Sequence, residues 1–174
     1  MTPFRLQPDD IDRYIKLRAH MLEDSPWAFA GSPDDDDALN AAFLKSTLEK
    51  ADNAIMAMAE DESTGPLVAV AGIYRVGQAK FSHRAKLWGV FVAEAYRGQS
   101  LGRAVTSAAL ELAYTWNGVA YIDVAVSANA PEALSLYQAL GFVRWGREPE
   151  TTQVDGQRYD EIYLSLRTGT EGRA

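Results

Sequence analysis

A chain of 174 residues is long enough to bury a sizeable core in one domain and short for two, and its 47% apolar and 24% charged residues are ordinary soluble usage. A formal charge of -7 argues against nucleic-acid partners, whose affinity comes from clustered Lys and Arg, and zero Cys excludes disulfides, thiolate metal sites and a cysteine nucleophile. Residues 1–12 have neither a basic start nor a continuous apolar run, and no later stretch reaches membrane-spanning length, so cytoplasmic residence with no membrane partner is the expectation.

Phe4-Arg5-Leu6 reads as a short strand, and Pro8-Asp9-Asp10 opens a helix with Ile11, Tyr14, Ile15, Leu17, Met21 and Leu22 at helical spacing, stopped by Ser25-Pro26. Trp27 to Pro33 is irregular and aromatic. The acidic run Asp34 to Asp37 then starts a second helical pattern through Ala38, Leu39, Ala42, Phe43 and Leu48. Ala54 to Glu60 and Leu67 to Val76 are antiparallel strands around a polar turn, and Ala85 to Val92 is a third. A helix carrying Val105, Ala108, Ala109, Leu112, Ala113 and Trp116 follows. Val119 to Val126 reads as a strand buried on both faces, Asn129 to Leu140 as a short helix ended by Gly141, and Phe142 to Arg147 and Arg158 to Leu166 as strands flanking a turn at Asp155-Gly156. No repeat or linker divides the chain, which predicts one domain over residues 1–167 and a loose tail over 168–174.

The segment Arg97-Gly98-Gln99-Ser100-Leu101-Gly102-Arg103 joins a strand to a helix. Glycines in such a turn let the backbone approach a ligand, and amides at a helix start favour an anion such as phosphate. Gly-x-Gly-x-x-Gly and Gly-x-x-x-x-Gly-Lys-Ser/Thr are both absent, so dinucleotide and P-loop readings lose their support. Taken alone, the same loop also fits a turn that serves only the fold.

Val90-Phe91-Val92, four intervening residues and the Arg97 to Arg103 segment resemble the acetyl-CoA signature of the GNAT superfamily of N-acetyltransferases. Asn129-Ala130-Pro131-Glu132-Ala133, followed by Leu136-Tyr137-Gln138-Ala139-Leu140-Gly141-Phe142, is similar to that family's second signature. The resemblance implies a mixed α/β (α+β) domain with a mainly antiparallel central sheet, helices on both faces, and strands near Val92 and Val119 splayed to admit acetyl-CoA as co-substrate. It further implies that Val90, Phe91 and Val92 pair with the pantetheine arm, with a backbone N–H near Phe91-Val92 meeting the oxyanion. Arg97, Gly98, Gln99, Ser100, Leu101, Gly102 and Arg103 bind the pyrophosphate, and Asn129 hydrogen-bonds the cofactor. Ser100 stands where the family usually has glycine, so either positive φ is not needed there or the loop is reshaped; a serine here could also cap the helix or meet a phosphate oxygen.

Tyr137 matches the tyrosine that protonates the departing thiolate in the family, and it also fits a core aromatic. Asn129 with Glu132 equally makes a capping box. An alkylammonium has a pKa of about 10 and must lose a proton before attack. Glu94 and His83 are the nearest sequence candidates for its base. No metal-ligand spacing links His20 and His83, so no metal is expected. The acidic run fits either a polycationic acceptor or a solvated helix start, and Pro26-Trp27-Ala28-Phe29 falls where the family builds its acceptor site. The implied activity is acetyl transfer to a primary amine in a ternary complex, on a small molecule or a peptide N-terminus. The alternative is a non-catalytic acyl-CoA-binding regulatory module, and a homodimer is compatible with either.

Overall fold

The computed structural model of the protein describes residues 1–169. Its strands are β1 (Phe4–Arg5), β2 (Asn53–Ala59), β3 (Leu67–Arg75), β4 (Arg84–Val92), β5 (Tyr121–Ser127), β6 (Val143–Val154) and β7 (Gln157–Arg167). Its helices are α1 (Ile11–Asp24), α2 (Ala41–Leu48), α3 (Leu101–Tyr114) and α4 (Pro131–Ala139). The strands form one sheet in the order β1-β2-β3-β4-β5-β7-β6. Every pairing is antiparallel except β4 with β5. The mixed, mainly antiparallel sheet expected from the sequence is therefore the fold observed.

Period-3.6 apolar stripes and period-2 strands meet on two faces. On one, α1 and α2 bury Tyr14, Leu17, Met21 and Leu44 against Ile55, Val70 and Phe91. On the other, α3 buries Val105, Ala109 and Ala113 with Tyr137 of α4 against Val68, Leu87, Ile122 and Leu164. Each large side chain so buried contributes roughly 1.5–3 kcal/mol, which makes the sheet a firm frame for its loops. No helix among the described residues is long and apolar enough to cross a membrane.

β4 and β5 pair only over Arg84–Lys86 and Tyr121–Asp123. Beyond that point both strands continue without each other. The cause lies in β4, where Gly89 has φ 57° and the register against β3 shifts between Val70 and Gly72, a bulge that raises local twist. Trp88 beside it lies on Gly72, whose Cβ, if present, would stand 2.2 Å from Trp88 Cε2. The opening is at the Val92 end of β4, as expected, but at the Val126 end of β5. Val119 sits at the closed base with 1% exposure, because the two strands run parallel.

Other boundaries move for local reasons. A 3-10 turn occupies Asp37–Leu39, and α2 starts only after Asn40, whose Oδ1 accepts from Phe43 N–H at 3.0 Å. Asp36 and Asp35 are used internally: Asp36 caps Ala38 N–H at 2.7 Å and Asp35 accepts from Ser32 N–H at 2.6 Å. β6 runs on to Val154 past Arg147, because backbone pairing with β7 carries its polar residues through an irregularity at Glu150, φ 54°. β5 is buried on one face only, with Tyr121, Asp123 and Ala125 turned toward the other. Thr168 at the start of the expected tail bonds the Val119 and Ala120 carbonyls at 2.8 and 3.0 Å; residues 170–174 lie outside the described residues.

Candidate active site

The segment after β4 makes a 3-10 turn over Glu94–Tyr96 and enters α3 at Leu101. Gly98 has φ 77° and Ser100 has φ 61°, so the chain does need positive φ at the serine. Ser100 adopts it without a glycine's freedom, and its hydroxyl makes no cap bond, which leaves that oxygen uncommitted. The first backbone bond of α3 runs from Ala104 N–H to Ser100 O at 3.1 Å. The N–H groups of Gly98, Gln99, Ser100, Leu101, Gly102 and Arg103 donate to no group among the described residues. Consecutive unpaired amides at the start of a 14-residue helix present partial positive charge to solvent, the arrangement that suits a phosphate or diphosphate.

Arg97 is turned the other way. Its Nε donates to Val92 O at 3.0 Å, its Nη2 meets Asp24 Oδ2 at 2.5 Å, and its guanidinium lies 5.6 Å from the Phe91 ring. The side chain thus ties the loop to the end of α1 and occupies the Val92 carbonyl. Of the β4 edge, Val90 keeps a carbonyl free of such a side-chain partner beside the split, while Phe91, between Val90 and Val92, is turned to β3, on the same edge as Ala93, whose N–H meets Val68 O at 2.9 Å. Burial opposes the Asp24 carboxylate, yet bonds from Ser25 and Arg97 hold its pKa below the usual range.

Tyr137 is 4% exposed on α4, its ring tilted 60° to that of Phe142 with centroids 5.8 Å apart. Its hydroxyl bonds no group among the described residues, and burial pushes its pKa far above the ordinary phenol value, so the proton stays on oxygen at neutral pH. Asn129 is exposed between β5 and α4; only its backbone N–H is engaged, by Ser127 Oγ at 3.3 Å. The expected capping box does not form, because Pro131 occupies the first helical turn and Ala130 becomes the N-cap. The Asn129 amide is left available.

On the α1 side of the split lies a cavity of about 300 Å³, bounded among others by Arg18, Phe29, Trp88, Gly89, Glu161 and Tyr163. Ala28 and Phe29 of the aromatic cluster line it, whereas Trp27 packs toward Tyr159 at 6.4 Å. β5–β7 pairing sets Glu161 opposite Ser127, at the open end of the split. The Tyr163 hydroxyl lies 2.5 Å from Glu148 Oε2 and 3.0 Å from Glu161 Oε2. One phenolic proton cannot satisfy both well; neither carboxylate has an ion pair among the described residues, and the shorter bond goes to Glu148, which leaves Glu161 the less neutralised. The bond to Glu148 leads in holding the Tyr163 phenol well above its usual pKa.

Glu94 is exposed on the turn after β4 and is not among the residues lining this cavity. His83 is at the wrong end of β4: nine residues at roughly 3.3 Å each put it about 30 Å from Val92, where its carbonyl accepts from Ala120 N–H at 2.8 Å. Glu161 and Arg18 were not singled out from the sequence. Glu161 and Tyr163 do share one face of a period-2 strand, but only the pairing of β7 with β5 brings that face to the split. Among the described residues no three His, Asp or Glu side chains converge as metal ligands.

A sheet parted between two parallel strands, with a helix start at its mouth and a hollow behind, is built for an extended ligand with an anionic end. A sequence model of the acetyltransferase (GNAT) family matches residues 17–142, and the chain belongs to that family. It is similar to a mycothiol acetyltransferase of Renibacterium salmoninarum, 33% identical over 124 residues, 68% of this chain and 35% of that protein. It is also similar to the putative phosphinothricin acetyltransferase YwnH of Bacillus subtilis, 26% identical over 103 residues, 59% of this chain and 62% of that one. The chain therefore spans about a third to three-fifths of these relatives' lengths. The fold is that of YncA, a putative acetyltransferase from Salmonella typhimurium solved with acetyl-CoA: TM-score 0.84 at 16% identity, covering 100% of this chain and 97% of that one.

Proposed function

We propose that the protein is an N-acetyltransferase that moves an acetyl group from acetyl-CoA to a primary amine by direct attack in a ternary complex. The observation that carries this is the run of six unpaired amides from Gly98 to Arg103 at the mouth of the split. The names of two relatives, a mycothiol acetyltransferase and a putative phosphinothricin acetyltransferase, agree with acetyl transfer. When bound, acetyl-CoA supplies an activated thioester acyl group at the end of a long arm that begins in a diphosphate.

The amides of Gly98 to Arg103 hold the diphosphate, with the Ser100 hydroxyl beside them. The backbone of β4 at Val90 receives the arm as an added strand, and the Asn129 amide holds its far side. A backbone N–H of the Phe91-Val92 stretch faces the carbonyl oxygen where negative charge develops. Tyr137 arrives protonated and stabilises the departing sulfur by donating to it, the proton moving as sulfur gains charge. Arg97 is a positioning residue for this loop through Val92 and Asp24. The acceptor enters from the cavity on the α1 side, and Glu161, in place of Glu94, takes the proton from its ammonium.

Calorimetry with CoA and acetyl-CoA, followed by thiol-release assays over small amines and peptides with free N-termini, tests this reading. Binding followed by amine-dependent thiol release is expected. No binding of either CoA form refutes it, and binding without release from any amine leaves a non-catalytic acyl-CoA module.

A further inference from the structure

Arg18 is the one charged residue in the buried class among the described residues, at 5% exposure. It projects from α1, and its Nε and Nη2 both donate to Asp36 Oδ2, at 3.1 and 2.6 Å. Asp36 Oδ1 is already taken by Ala38 N–H, and the Phe29 ring stacks 4.9 Å from the guanidinium. The third nitrogen, Nη1, has two hydrogens and no hydrogen-bond partner. It lies against the bulge in β4, since a Cβ on Gly89 would stand 3.8 Å from it, and both residues line the cavity beside the split.

A buried cationic donor left unpaired is costly, and no group among the described residues bonds it. The ion pair with Asp36 and the stack on Phe29 fix the other two edges of the guanidinium, so Nη1 is held in place. We propose that Arg18 Nη1 is an acid-recognition subsite, so that the acceptor is an amine that also carries a carboxylate or similar acidic oxygen group. This rests on the acyltransferase reading for the role of the amine.

The charges around the cavity favour that acceptor over a polyamine. Lys86 lines the same hollow without an ion pair among the described residues; of the two carboxylates that line it, Asp123 is neutralised by Arg84 and Glu161 stands on the opposite strand. A zwitterion meets complementary charge at both walls, whereas a polycation meets two like charges. Two of the four carboxylates in the acidic run are committed within the fold, Asp36 to Arg18 and Ala38 and Asp35 to Ser32. Nη1 is closed to water, so the donor that an acidic oxygen meets there has no hydration shell to lose.

The test is titration of matched pairs, L-phenylalanine with phenethylamine, L-leucine with isoamylamine and β-alanine with ethylamine, into CoA-loaded and CoA-free protein, with thiol release from acetyl-CoA in parallel. At least one acid-bearing member should bind or react about 10- to 100-fold better than its partner. Arg18→Lys keeps a cation for Asp36 but loses the fork, and Gly89→Asn tolerates positive φ while covering Nη1; each should erase the preference, and Arg18→Lys should leave CoA affinity unchanged. No acid preference in any pair, or a preference that survives both variants, overturns the proposal. Failure of CoA to bind sinks the acyltransferase reading instead, and the CoA-free titrations still judge the subsite.

Discussion

Proline at position 103 isolates the amide run from the rest of the loop. Arg103 is exposed in the first turn of α3, and its N–H precedes the helix's own ladder, which opens with Ala104 N–H to Ser100 O at 3.1 Å. Arg103→Pro therefore removes no hydrogen bond from the fold. The residue before it is Gly102, whose missing Cβ eases the restriction proline places on its neighbour. The cost to stability should stay well below the ~3 kcal/mol of an interior helical proline. Arg103→Ala serves as the control, because it removes the same side-chain charge and keeps the N–H. An amide bonded to a charged oxygen is worth about 1.5–3 kcal/mol. The proline variant should then bind CoA about 10- to 150-fold more weakly than the alanine variant. Calorimetry gives the two Kd values and thermal denaturation checks the fold. Equal affinity in two variants of equal Tm refutes the diphosphate cradle.

Three further substitutions address the strain and the proton path. Ser100→Gly relieves a left-handed serine worth about 1–2 kcal/mol, less the roughly 0.5–1 kcal/mol by which glycine favours the unfolded chain, and should raise Tm by up to about 6 °C; a lower Tm by calorimetry contradicts the strain. Tyr137→Phe should lower kcat by about 10²- to 10⁴-fold with little change in the Kd for CoA, and an unchanged kcat removes the hydroxyl from the chemistry. Glu161→Gln should slow transfer most near neutral pH and recover as pH approaches the amine pKa of about 10, because the free amine then forms without help. A pH–rate profile parallel to that of the unsubstituted protein shows that another group takes the proton.

What could be read in the sequence was local. The glycine-punctuated stretch from Arg97 to Arg103, the apolar runs of β2 to β4 and the stripe of α3 each declare themselves within a dozen residues, because backbone freedom and side-chain period are properties of adjacent positions. Glu161 and Arg18 were invisible for the converse reason. The value of Glu161 depends on β7 pairing with β5, and that of Arg18 on a loop residue 18 positions away and on a bulge in β4. His83 looked adjacent to the cofactor strand, but a strand's two ends are far apart. Asn129 met the rule for a capping box and lost the role to the geometry imposed by Pro131.

The split and the amide run are two results of one topological choice. β4 and β5 are the only parallel neighbours in an otherwise antiparallel sheet, and a parallel connection requires a crossover, which α3 supplies. A helix that leaves the end of β4 and returns to the start of β5 must begin beside the carboxyl ends of both strands. Its unpaired N–H groups therefore face the place where the strands separate, and the bulge at Gly89 widens the opening there. The closed base is fastened independently by Arg84 on Asp123, with Nε to Oδ2 at 2.7 Å, and by Ser165 Oγ on the same carboxylate at 2.8 Å. Because the fastening lies at one end and the bulge toward the other, the cleft can admit a ligand without loosening the sheet that holds it.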